Sequence, residues 1–121
     1  TDQAFAALVS DLDDRGLLDE TLVCFITEFG RTPRINKFQG RDHWTNAYSI
    51  VFAGAGIRGG QVIGQTDRDG GYVVSQPHVP EDYAAMIYEK LGINRNQPLY
   101  TATNRPVLFG HLGEPIPELF S

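Results

Sequence analysis

The sequence predicts an α/β layer architecture, and the order of its apolar segments is the main reason. Two solid apolar runs, at 21–27 and 48–53, are typical of strands that are covered on both faces. A helical pattern precedes the first run, and a glycine-rich turn and a second helical pattern follow the other. Helices and strands that alternate in this way indicate packed α/β layers.

The first predicted helix lies at the start of the chain. Asp2 stands near its beginning, and Gly16 is expected to end it, because glycine readily adopts the left-handed conformation found after a helix. Its apolar residues recur at helical spacing, with charged residues on the other side: Phe5, Leu8, Val9 and Leu12.

The second predicted helix spans 80–91. Proline and acidic residues at its start, Lys90 near its end and Gly92 just beyond mark both boundaries. Residues 67–71 are predicted to form a turn. Farther on, 106–109 and Ile116 are expected to form an edge hairpin, and His78 and His111 are expected to be surface histidines.

Length and composition favour one globular domain over 1–121. The 121 residues carry a formal net charge of −5, which argues against a nucleic-acid partner. No stretch reaches the ~20 apolar residues of a membrane span, so no membrane partner is expected. Cys24 lies in an apolar run and is interpreted as a buried core residue. Because the chain begins inside an apparent helix, we expect a fragment of a longer protein.

The long polar segment 28–46 is the place where chemistry is expected. It joins the two predicted strands, and loops of this length in compact domains are usually functional. Ligands of open α/β sheets bind outside the carboxyl ends of the strands. The charged and imidazole side chains at these ends are the candidates: Glu28, Arg31, Arg41, Asp42 and His43.

His43 is the strongest single candidate, because neutral imidazole is the commonest metal ligand in proteins. Asp42 beside it is a second ligand or orients the ring. Glu28 directly follows an apolar strand. Its carboxylate is desolvated there, and this cost requires a compensating cation or hydrogen-bond donor. That partner is either a metal ion or an arginine, and in the second case a Glu28–arginine pair only pins the loop.

Four phrases, at 15–23, 28–33, 40–44 and 59–64, are distinctive. They resemble the C-terminal part of a bacterial family, the domain-of-unknown-function family numbered 1501. That family is in turn similar to the alkaline phosphatase and sulfatase superfamily. The resemblance implies the C-terminal portion of a three-layer sandwich with a mixed, mostly parallel sheet.

The resemblance also implies a site. Glu28, His43 and Asp42 would hold a divalent metal (zinc, manganese or calcium), and Arg31 or Arg41 would clamp the anionic oxygens of a phosphate or sulfate ester. Phe29 stands where the superfamily has a ligand histidine, which weakens one metal position. The nucleophile of the superfamily has no counterpart in this chain.

Two functions follow from these observations. In the first, the chain is part of a metal-dependent hydrolase of phosphate or sulfate esters, and the isolated chain is expected to show no turnover. The alternative is a non-catalytic module that binds an anionic ligand, a glycan ester or a partner. The resemblance implies a periplasmic or secreted parent protein, and uncovered sheet edges predict self-association.

Overall fold

A computed structural model describes residues 1–108 and 113–120 of the chain. These residues form two compact units. The first comprises residues 1–77 together with Phe120, and the second comprises the described residues of 78–119.

The first unit opens with helix α1 (Asp2–Asp14), which a short 3₁₀ helix, Leu18–Glu20, follows. Gly16 has φ +68°, and its amide donates to the carbonyl of Asp13 at 2.9 Å. The Leu17 amide donates to the carbonyl of Leu12 at 2.8 Å. This pair of bonds is the Schellman arrangement, and the prediction that Gly16 ends the helix is confirmed.

Three antiparallel ladders of two strands complete the first unit. β1 pairs with β4, with Val23 opposite Ala53, and the β2–β3 hairpin lies within the connection between them. β5 pairs with β6 around a turn at 67–71, as the sequence predicted. The strands are β1 (Val23–Phe25), β2 (Gly30–Arg31), β3 (His43–Trp44), β4 (Val51–Ala53), β5 (Gln65–Thr66) and β6 (Val73–Ser75).

The second unit is built on helix α2 (Pro80–Lys90), close to its predicted bounds, and its buried apolar side chains are Ala85, Met86 and Ile116. The predicted edge hairpin is replaced by another pairing, in which β7 (Leu99–Tyr100) pairs with β8 (Pro106–Val107). A 3₁₀ helix, Pro117–Leu119, follows. Phe109 and His111 lie outside the described residues.

The predicted three-layer sandwich with a mostly parallel sheet is wrong. Every ladder among the described residues is antiparallel and has two strands. The reason lies in the connection between β1 and β4. A parallel pair needs a crossover, usually a helix, whereas residues 26–50 contain the β2–β3 hairpin and no helix. The chain therefore returns beside β1 in the opposite direction.

The expectation of strands buried on both faces is also wrong. Cys24 and Phe25 in β1 are exposed, as is Val51 in β4. Each of these strands has a single neighbour, and a lone two-stranded ladder covers little surface. Phe5 of α1 makes an edge-to-face contact with Phe25, with ring centroids 6.0 Å apart. Partial desolvation raises the pKa of the Cys24 thiol, which therefore stays protonated near neutral pH.

Candidate functional site

The β2–β3 hairpin brings two of the predicted site residues together. Arg31 pairs directly with His43, and Gly30 pairs with Trp44. Residues directly opposite in an antiparallel ladder project from the same face. The guanidinium and the imidazole are therefore neighbours on one face of the hairpin, and both residues are exposed.

Phe29 forms a platform beneath these two side chains. Its ring centroid lies 4.1 Å from that of His43, with the planes inclined at 34°. The guanidinium carbon of Arg31 lies 5.8 Å from the same ring centroid, within the range of a cation–π contact. Phe29 therefore contributes to the site by packing against both side chains. Sequence reasoning missed this role, because it treated Phe29 only as the replacement of a metal-ligand histidine. Its spacing of two residues from Arg31 along an extended strand is the signal that places it on that face.

Asn36 organises the loop that joins the two strands. Its side-chain oxygen accepts hydrogen bonds from the amides of Phe38 at 2.9 Å and Gly40 at 3.1 Å. Its side-chain nitrogen donates to a carboxylate oxygen of Asp42 at 2.8 Å. The backbone of Asn36 also exchanges bonds with Gly40 and Gln39. One asparagine therefore fixes the tip of the hairpin, a second role that sequence reasoning missed.

Arg41 pins the base of this loop. Its Nη1 donates to the carbonyl of Thr32 at 2.7 Å and also to the carbonyl of Pro33. The Thr32 hydroxyl accepts from the amide of Asp42 at 3.1 Å, which ties the two sides of the loop together. Arg41 was predicted to clamp an anionic substrate, but here its guanidinium is engaged with backbone oxygens.

Glu28 does not supply the pairing that the loop-pinning alternative requires. Among the described residues, Glu28 forms no ion pair with Arg31 or Arg41. The arginine that pins the loop acts on backbone carbonyls instead. The prediction that a Glu28–arginine ion pair pins the loop is therefore wrong. An arginine does pin the loop, but without Glu28.

The three predicted metal ligands do not meet as a ligand set in this structure. Within residues 1–108 and 113–120, no group of three or more His, Cys, Asp or Glu side chains is placed to hold a metal ion. The Asp42 carboxylate bonds to Asn36, and the His43 ring lies against Phe29. These residues as placed do not fit a three-ligand centre. The metal stays a prediction of the sequence.

Trp44 lies on the opposite face of the ladder from His43, since it is the next residue in the strand. Its indole nitrogen donates to the carbonyl of Gly71 at 2.6 Å, and its ring meets Tyr72 edge-to-face at 5.6 Å. The indole therefore fastens the hairpin to the turn between β5 and β6. The Trp44 anchor therefore uses the face of the ladder opposite to that of Arg31 and His43.

The charge of the hairpin is opposite to that of the chain. The segment 31–42 contains four cations and a single carboxylate, Asp42, in a protein of formal net charge −5. None of these cations forms a salt bridge with a carboxylate of the described chain. The segment is therefore a local positive field suited to an anion. The cations are Arg31, Arg34, Lys37 and Arg41.

A comparison with protein-family models identifies the lineage. The model described as "Protein of unknown function (DUF1501)" matches residues 1–120, and the chain belongs to this family. The resemblance seen in the sequence is confirmed to that extent. Searches of curated proteins and of solved structures find no match. No helix in the described part of the chain is long and apolar enough to cross a membrane.

Proposed function

We propose that this chain is a binding module for an anionic oxygen-rich group, such as the sulfate or phosphate ester of a small molecule or glycan. The observation that supports it is the pairing of Arg31 with His43 on the Phe29 ring. Two nitrogen-rich side chains stand side by side, exposed and without a carboxylate partner in the described residues. An oxyanion is the class of ligand that this arrangement suits.

The chemistry of the two side chains suits this ligand. A guanidinium presents a planar fork of donors that matches two oxygens of a sulfate or phosphate. The imidazole adds an N–H donor, and a second one when it is protonated. Contact with the Phe29 ring limits the motion of both groups, so less rotamer entropy is lost on binding. Arg34 and Lys37 add to the attraction at longer range.

The direct test is a titration of the 121-residue chain with inorganic sulfate, inorganic phosphate and a sulfated monosaccharide at low ionic strength. We expect Arg31→Gln to weaken binding by roughly tenfold or more, because a charge-assisted bidentate contact is lost. Arg31→Lys should recover only part of the affinity. The matched control is Arg68→Gln, which removes an exposed arginine from the β5–β6 turn.

Two outcomes would overturn the proposal. One is an affinity that Arg31→Gln and His43→Gln leave unchanged. The other is an equal loss in Arg68→Gln, which would show that only the total charge matters.

The hydrolase lineage is a second proposal, which rests on the resemblance to the alkaline phosphatase and sulfatase superfamily. One structural observation favours it, namely that His43 lies directly beside Arg31 on the exposed hairpin. In that case Glu28, Asp42 and His43 would hold a zinc, manganese or calcium ion; because they do not form a ligand set as placed, the proposal requires their side chains to rearrange around the ion. Elemental analysis of the purified chain and of His43→Ala tests it. Stoichiometric metal that is lost in the variant supports a hydrolase, and metal in neither protein contradicts it.

A further inference from the structure

The tip of the β2–β3 hairpin exposes an unusual combination of side chains. Ile35 is 65% exposed and Phe38 is 79% exposed. Lys37 lies with its ammonium 5.0 Å from the centroid of the Phe38 ring, and Arg34 precedes the pair. These four residues are called the basic tip. Because the Asn36 hydrogen bonds hold the loop, the apolar side chains are kept outward and do not fold back onto the hairpin.

A patch of opposite charge lies in the same unit, where α1 ends. Leu17 is 47% exposed, and exposed carboxylates stand on both sides of it in the sequence. These residues are called the acidic end: Asp13, Asp14, Leu17, Asp19 and Glu20.

The acidic end carries negative charge that no cation of the described chain compensates. The C-terminus of a helix carries partial negative charge, so carboxylates there are destabilising and cations are stabilising. The last turn of α1 contains Asp13 and Asp14 and no basic residue. Arg15 is close by, but its guanidinium is engaged with Asp11 at 2.9 Å. In the described chain, the four carboxylates of the acidic end have no cation partner.

We infer that a second copy of this chain docks its basic tip on the acidic end of the first, and that the two copies do so reciprocally. Each patch offers what the other lacks, since cations meet carboxylates and Phe38 meets an exposed Leu17. Reciprocal contacts close a pair of two-fold symmetry, the commonest form of oligomer. An anionic membrane is the less favoured occupant, because the chain has a formal net charge of −5.

This inference does not depend on the proposed anion site. The docking uses Arg34, Lys37 and Phe38 at the tip, whereas the anion site uses Arg31 and His43 at the base of the hairpin. Each can fail without the other. A tip variant that loses self-association but weakens sulfate binding much less than Arg31→Gln does separates the two.

Charge reversal with mixing is the sharpest test. The molar mass of the 121-residue chain is measured by sedimentation at about 0.05 M and about 0.5 M salt, where screening differs strongly. We expect a dimer that weakens at high salt. The variants Arg34→Glu/Lys37→Glu, which gives the tip two negative charges, and Asp13→Lys/Asp14→Lys/Asp19→Lys, which gives the helix end a net positive charge, should each associate at least roughly tenfold more weakly, since each lost ion pair is worth up to about fivefold and like charges then face each other.

Mixing the two charge-reversal variants should restore the dimer. In the mixture, the acidic tip of one variant faces the basic helix end of the other, and the remaining two patches are unchanged. Recovery on mixing also shows that both variants are folded. Val62→Ser is the control for loss of an exposed apolar side chain, because Val62 is 92% exposed and lies outside both patches. It should leave association unchanged.

A monomeric wild-type chain would overturn the inference. A dimer that both charge-reversal variants leave intact would also overturn it, because association would then be attributed to the sheet edges. Failure of the mixture to recover would also overturn it. Tip-dependent binding to phosphatidylglycerol vesicles by a monomer would assign the tip to a lipid surface instead.

Discussion

Gly30 lies directly against the backbone carbonyl of Ala47. A Cβ added to Gly30 would overlap that oxygen and would lie 3.1 Å from the Cβ of Tyr48. Among the described residues of the first unit, Ala47 is the one buried apolar residue, so its carbonyl has little room to move. The segment after β3 therefore closes over β2 at the only place where β2 has no side chain. This contact holds the strand that carries Arg31.

Gly30→Ala is expected to destabilise the chain by about 1–3 kcal/mol, because the new methyl group forces the 47–48 backbone away from β2. Urea unfolding followed by the fluorescence of Trp44, the single tryptophan, measures this cost. Gly59→Ala is the matched control, since a Cβ there meets nothing within 4 Å. Equal unfolding midpoints for the two variants would contradict the close packing.

Asn36→Ala should loosen the hairpin loop. The substitution removes two hydrogen bonds to backbone amides and one to Asp42, and we expect a loss of about 1–2 kcal/mol. Hydrogen exchange at the amides of Phe38 and Gly40 should accelerate. Asn36→Asp keeps the acceptor for both amides but sets a second carboxylate against Asp42, so it should preserve more of their protection than Asn36→Ala does while losing the bond to Asp42. Asn46→Ala, at an exposed position outside the loop, should change neither measurement.

Asp82 makes the second unit sensitive to acid. Its carboxylate accepts from the amide of Val79 at 2.9 Å and from the amide of Glu114 at 3.0 Å, and His78 lies 3.8 Å away. Burial by itself raises the pKa of Asp82, but the two backbone hydrogen bonds and the charge of His78 outweigh it and lower the pKa. The carboxylate therefore ties residue 114 to the start of α2 as long as it is ionised.

The pH dependence follows from this direction. Because the pKa is lower in the folded state, the stabilisation is present above the ordinary carboxyl pKa of about 4 and is lost as the pH falls through the folded value. Asp82→Ala should cost about 1 kcal/mol at neutral pH and lose less stability than the wild type on acidification. Glu81→Ala, one residue earlier in the same turn, should keep the wild-type pH profile. Parallel profiles for wild type and Asp82→Ala would contradict the role of Asp82.

Local sequence determined the helices and their ends. The spacing of apolar residues predicted α1 and α2, and Gly16 marked the end of α1 because the Schellman arrangement depends on residues close together in the chain. The turn at 67–71 was predictable for the same reason. The position of the site residues was also predictable in part, since Arg31 and His43 stand in the polar segment that joins the apolar strands.

Tertiary structure alone decided which strands pair and which side chains meet. Apolar runs indicate strands but do not identify their partners, because the direction and register of a strand pair depend on how the intervening chain returns. Here the chain returns through the β2–β3 hairpin. The ladders are therefore antiparallel where a mostly parallel sheet was predicted, and Arg31 lies opposite His43. It also gave Phe29 its role as a platform and Arg41 its bond to the Thr32 carbonyl. These contacts depend on geometry across the hairpin, which residue spacing along the chain does not encode.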